Sequence, residues 1–194
     1  MQLPKLRELV SMGEGQLVEF KRKAAFPEKI VREIIAFANS QGGKLIVGVD
    51  DDGSIPGVKH VDEEKFILDR AIADYCRPPI KFKHHILRLS EKRFVLVYEI
   101  FESRRKPHYL LPKPNARYGK AYVRINDKSV KASNEWVYIF KLAHKNKGFT
   151  LMYGERERLL MQYLGSNKSI TLNKFIEISG LARQEASRVI TSMV

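Results

Sequence analysis

Five carboxylates in the first third of the chain are of the type and spacing that can hold a hard cation. Glu14 and Glu19 stand five residues apart, and Asp50, Asp51 and Asp52 follow the apolar run KLIVGV at 44–49. Clustered carboxylates repel one another unless Mg²⁺ or Mn²⁺ neutralises them, and such a cation can stabilise the charge that develops when a phosphodiester is cleaved. The same residues have plainer uses. Asp-Asp-Asp-Gly is good turn chemistry, and Glu19 has Lys21 and Lys23 nearby as ion-pair partners.

A second set is cationic. Arg104, Arg105, Lys106, His108, Lys113, Arg117, Lys120 and Arg124 are interleaved with Tyr109, Tyr118 and Tyr122. Cations neutralise phosphates, and aromatic rings offer stacking faces to unpaired bases; the tyrosines would serve equally well as strand-face core. A third set closes the chain. Leu172, Phe175, Ile176 and Ile178 form an apolar helix face, Gly180 makes a turn, and Leu181, Ala186, Val189, Ile190 and Met193 face back. This is a helix-turn-helix pattern whose last helix would present Arg183, Gln184, Glu185, Ser187 and Arg188 to base edges and phosphates. A plain three-helix docking or dimerisation module has the same pattern. A winged version needs a further hairpin, which the sequence does not contain.

Other motifs carry less. Ser40-Gln41-Gly42-Gly43 invites a nucleotide-binding interpretation, but phosphate loops follow a strand and open a helix, whereas these glycines follow a helix and open a strand. They are better explained as a C-cap and tight turn. Neither GxxxxGK[ST] nor GxGxxG occurs, so ATP is not supported as a cofactor. His60, His84-His85 and Cys76 have no partners at metal spacing and no catalytic signature around them.

The elements that must position these groups follow from periodicity. A short helix at 3–13, a strand at 15–23 and an amphipathic helix from Pro27, with Ile30, Ile34 and Phe37 on one face, lead into the apolar strand at 44–49. A second helix is expected at 62–76, capped by Asp62 and broken by Arg77-Pro78-Pro79. IKFKHHILRLS (80–90), RFVLVYEIF (93–101) and KAYVRI (120–125) read as strands, and the proline-rich, basic segment 103–119 between them as a long functional loop. A helix capped by Ser133 follows, then three tail helices within 153–194. The expected fold is α+β, a mixed sheet with flanking helices in residues 1–148, followed by a small three-helix segment in 149–194, with a boundary near 146–150.

Composition bounds the partners. The 194 residues are 44% hydrophobic and 29% charged, as in a globular chain. Net charge is +13, but residues 1–76 carry −2, residues 77–149 carry +13 and residues 150–194 carry +2. The basic excess therefore belongs to the middle third, and a polyanion, most often nucleic acid, is the expected partner. No apolar run approaches the length of a membrane helix, the N-terminus has no apolar signal-peptide region, and the lone Cys76 forbids an intramolecular disulfide. A cytoplasmic protein with no membrane partner is expected, associated with the nucleoid if its partner is DNA.

EGQLVEFKRK, IIAFANSQGGKLIVGVDDDGSIPGV and GKAYVRI, in this order, resemble the Schlafen-type AlbA-like domain family, also classed as divergent AAA. The match spans roughly residues 8–135. The resemblance implies an α+β fold that binds nucleic acid, with a C-terminal winged-helix segment of the kind found in bacterial members, which are described as transcriptional regulators and sometimes as ATP-binding. It thus points to a DNA-binding regulator, with DNA favoured over RNA and a homodimer reading two half-sites. Animal Schlafen nucleases use three acids in a similar motif for metal-dependent cleavage of structured RNA. The matching positions here are Glu14, Glu19 and Asp51, which gives an alternative expectation of an Mg²⁺- or Mn²⁺-dependent endoribonuclease. One departure is INDKSVKAS after the YVR strand, where the family has a small Gly/Ser-containing segment. The single lobe is another, since those nucleases clamp RNA between two.

Overall fold

The computed structural model describes residues 1–143 and 154–193. It divides into two compact units, Met1–Ala132 and Ser133–Val194. The boundary expected near 146–150 lies outside the described residues. The helix capped by Ser133 belongs to the second unit.

The first unit is built on two four-stranded sheets. The first has the order β1 (Val18–Lys21), β2 (Gly43–Val47), β5 (Arg93–Ile100), β4 (Phe82–Ser90), with β1 and β2 parallel and the other pairs antiparallel. The second joins β3 (Cys76–Arg77), β6 (Tyr109–Leu110), β7 (Lys120–Ile125) and β8 (Lys128–Lys131), all antiparallel. Helix α2 (Pro27–Asn39) starts with proline in its first turn, where the missing N–H costs nothing. It packs against both sheets, so its burial continues nearly all round its last turns. Together with α3 (Val61–Tyr75) it covers Leu45, Val47, Leu96, Tyr98 and Ile100 on one face of the first sheet. Helix α1 (Leu3–Ser11) places Leu6 and Val10 on the other face, against Phe20, Ile46, Val95 and Val97.

Two local expectations are corrected. Asp62 is not the cap of α3: the cap is His60, and Asp62 lies in the first turn with Glu63 and Glu64, where acids oppose the positive helix end. Segment 103–119 is not wholly an unpacked loop, because β6 pairs with both β3 and β7 and buries His108 and Leu111. INDKSVK forms a hairpin: β7 and β8 pair Ile125 with Lys128 across Asn126-Asp127, and Asn126 takes a left-handed φ of 55°.

The second unit comprises α4 (Asn134–Leu142), α5 (Glu155–Ser166), α6 (Leu172–Ser179) and α7 (Arg183–Ser192). Leu160, Phe175, Ala186 and Val189 form its buried centre. Thr171 caps α6 by accepting from the Lys174 N–H, and Gly180 ends it in the left-handed region at φ 66°. Helix α6 is joined through this turn to α7. Among the described residues no helix is long and apolar enough to cross a membrane.

Candidate nucleic-acid interface

Arg124 was expected to face phosphate; instead its side chain is 0% exposed. From β7 it reaches Glu19 on β1, donating Nη2 to Oε2 at 2.7 Å, and Glu33 on α2, donating Nη1 to Oε2 at 3.2 Å. It also donates to the Gly15 carbonyl, from Nη2 at 2.8 Å and Nε at 3.2 Å, and lies 4.8 Å over the Phe37 ring. Ser129 Oγ donates to the Glu33 carboxylate beside it. A guanidinium has five donors in a rigid fork, which suits it to joining several acceptors away from water. Arg124 is therefore the tie between the two sheets and α2.

The glycine motif has a structural role of the same kind. Asn39, at the end of α2, is buried; its Nδ2 donates to the carbonyls of His108 at 3.0 Å and Tyr122 at 2.9 Å, and its Oδ1 accepts from the His108 N–H at 2.8 Å. Ser40 Oγ accepts from the Arg124 N–H at 2.8 Å. Gly42 has φ 76°, and a Cβ there would stand 2.7 Å from the Ile100 carbonyl oxygen. A Cβ on Gly43 would stand 2.4 Å from the Phe37 ring. Asn-Ser-Gln-Gly-Gly thus fastens α2 to both sheets and lets β2 start immediately below it.

The acids close a sheet edge. Strand β1 is the outer strand of its sheet, a place where unpaired backbone groups invite association. Glu14 Oε1 accepts from the Phe20 N–H at 2.6 Å, Lys21 Nζ donates to the Phe20 carbonyl at 2.7 Å, and Arg124 Nη2 donates to the Val18 carbonyl at 3.3 Å. Burial, together with the charges of Glu19 and Asp51, raises the Glu14 carboxyl above its ordinary value, against the lowering effect of the Phe20 N–H. The folded state then holds this proton more tightly than the unfolded chain does, so stability is lost as pH rises from about 4.5, the ordinary value, through the raised one. Glu14→Gln keeps an acceptor for Phe20 and is expected to flatten that loss, read as the urea midpoint measured at intervals between pH 4 and 7.

The remaining cations divide by exposure. Lys106 donates to the Ser40 carbonyl at 2.9 Å and to Glu102 at 2.6 Å, placing it at the C-terminal end of α2. Arg104, Arg105, Arg117 and Lys120 are exposed, as is Lys113. Tyr118 is 74% exposed, and the Arg117 guanidinium lies 5.4 Å from its ring, a cation and an aromatic face presented side by side. In the second unit, Arg183, Gln184 and Arg188 are exposed on α7. Ser187 is half-buried and donates to Glu135 at 3.0 Å.

The family model for Schlafen, AlbA_2 matches residues 14–133, more than half of the chain. The chain belongs to the Schlafen AlbA_2 family. It is also similar to the solution structure of the N-terminal domain of a RecG-related protein from Nitrosomonas europaea, at 21% identity and a TM-score of 0.48, over 77% of this chain and 99% of that one. The matched segment of the Schlafen domain contains the whole Arg124 tie and the exposed cations of 104–120, and membership of the family supports interaction with nucleic acid.

The three acids matched to the Schlafen nucleases do not fit a divalent cation as they are arranged. Both Glu19 oxygens are engaged, Oε2 by Arg124 and Oε1 by Lys21 Nζ at 2.5 Å. Glu14 is bound to Phe20, and Asp51 is exposed in the turn after β2. Among the described residues no group of three or more acidic, histidine or cysteine side chains is placed to hold a metal ion. What the sequence missed in this Schlafen domain is Glu33. Its signal was present, since it stands three residues after Ile30 on the apolar stripe of α2, where an unpaired carboxylate would not be tolerated.

Proposed function

We propose that this chain binds DNA as a regulator of transcription. Arg104, Arg105, Arg117 and Lys120 hold the phosphate backbone, and Arg183, Gln184 and Arg188 on α7 reach base edges, as a helix-turn-helix does, while Ser187 is held by Glu135. The observation that supports this most directly is the exposed cluster of 104–120, which keeps its cations and Tyr118 in water while Arg124 and Lys106 from the same stretch are committed to the fold. Half-site reading by a homodimer follows from the single reading helix per chain.

Two sets of variants test it on duplex DNA at several salt concentrations. Arg104→Ala with Arg105→Ala and Arg117→Ala is expected to weaken binding to all sequences and to lower the slope of log K against log salt by about 0.9 for each phosphate that is no longer neutralised. Arg183→Ala with Arg188→Ala is expected to weaken binding and to narrow the difference between sequences, because α7 reads as well as grips. Equal binding of every duplex by wild type and the α7 variant removes α7 as the reader. Cleavage of tRNA in Mn²⁺ by the wild type, abolished in Glu19→Gln, would replace this function with that of an endoribonuclease.

A further inference from the structure

A cavity of about 490 Å³ opens at the end of the first sheet where β1 and β2 finish and β5 begins. Arg22 and Lys23 line it from the β1–α2 connection, Lys59 and His60 from the segment before α3, and Arg93 from the start of β5. The 103–117 segment leaves the other end of β5, after Ile100. Eight residues of strand, about 23 Å at roughly 3.3 Å per residue, therefore separate the two basic surfaces.

The lining is polar and carries no Phe, Tyr or Trp ring. Two acids share it, and one is committed: Glu64 Oε2 accepts the Ala24 N–H at 2.6 Å. Glu63 lies 3.9 Å from His60. Arg22 is paired with Asp50 at 3.2 Å, and Arg93 donates to the Gly57 carbonyl at 3.3 Å, which holds its head at the mouth. Among the described residues Lys23 and Lys59 have no ion-pair partner, and both are exposed. The backbone at Gly57 is pressed against the floor, since a Cβ there would stand 2.9 Å from Leu89 Cδ1 and 3.0 Å from the Phe94 carbonyl oxygen. Helix α3 points its N-terminus to the same place, and its cap, His60, makes no side-chain capping bond.

We propose that this cavity is a binding site for a phosphate group, held chiefly by Lys23, Lys59 and Arg93. The inference goes beyond DNA binding by 104–120 and α7 and needs no part of it. The phosphate belongs either to a small anion such as a nucleotide's diphosphate or to a nucleic-acid backbone, and the chemistry of capture is the same for both.

The test uses the whole chain and two probes. Inorganic pyrophosphate is titrated calorimetrically into wild type, Lys23→Ala/Lys59→Ala and Glu63→Gln, each checked for an unchanged thermal midpoint. A fluorescent single-stranded oligonucleotide is titrated into the same three. Wild type is expected to bind pyrophosphate, the double variant to bind about tenfold or more weakly, as removal of two charge-assisted hydrogen bonds implies, and Glu63→Gln to bind more tightly. If the oligonucleotide weakens in parallel, the phosphate is that of a backbone; if only pyrophosphate weakens, the site takes a free anion. Absence of pyrophosphate binding by wild type, or equal binding by the double variant, overturns the site. Neither result depends on the duplex measurements with Arg104, Arg105, Arg117 and α7.

Discussion

Arg124→Met is expected to cost the first unit about 3–5 kcal/mol, because it removes one partner of a buried ion pair and leaves the other charge without compensation. Here two charges are left. Glu19 and Glu33 have side chains only 9% and 7% exposed, and both face the guanidinium. Lys21 and Arg32 remain, each on the outer oxygen of one carboxylate, at 2.5 Å and 2.8 Å. They cannot take over the inner oxygens or the Gly15 and Val18 carbonyls that Arg124 also serves. Methionine retains the length of the stem, so the loss reads charge and hydrogen bonding rather than volume. Urea unfolding followed by circular dichroism measures it. Adding Glu19→Gln and Glu33→Gln to Arg124→Met is expected to recover part of the loss, since neutral amides in the same place no longer carry buried charge. A midpoint unchanged by Arg124→Met would contradict the role given to this residue.

Asn39→Leu is expected to have the next largest effect. The two side chains are similar in size, so the core stays filled. Three backbone groups lose their partner: the N–H and carbonyl of His108 and the carbonyl of Tyr122. Each buried group left unmade costs about 1–3 kcal/mol. Local opening should accompany the loss, because those bonds attach the 106–110 segment to the end of α2. Faster hydrogen exchange of the His108 amide, with the β2 and β5 amides still protected, distinguishes this from general weakening.

Much of the first unit was legible because its signals are local and strong. The stripe of α2, the apolar run of β2 and the alternation of β4 need no tertiary information. Strands β3 and β6, two residues each, have no periodicity to detect; they exist because Asn39 and neighbouring strands hold them. The β7–β8 hairpin was signalled by Asn126-Asp127, a pair suited to a two-residue turn, but the segment stands out in the sequence only as a departure from the family pattern. Arg124 was misread for a physical reason. A cation after Tyr122 and Val123 looks like a phosphate ligand when only its own strand is considered. Its buried carboxylate partners stand 105 and 91 residues earlier, and nothing local links them to it. Arg104, Arg105, Lys113, Arg117 and Lys120 are exposed, because charge in a turn-rich segment stays in water.

The separation between Arg124 and Glu19 also sets an order of events during synthesis. A contact spanning 105 residues pays its loop-closure entropy before it returns any stability. Until the ribosome has released residue 124, α2 and the first sheet can assemble only around two carboxylates with no cation between them. The Arg124 tie can therefore close only late in synthesis. A fragment ending short of that arginine keeps most of the apolar core and lacks the charge that makes the core tolerable.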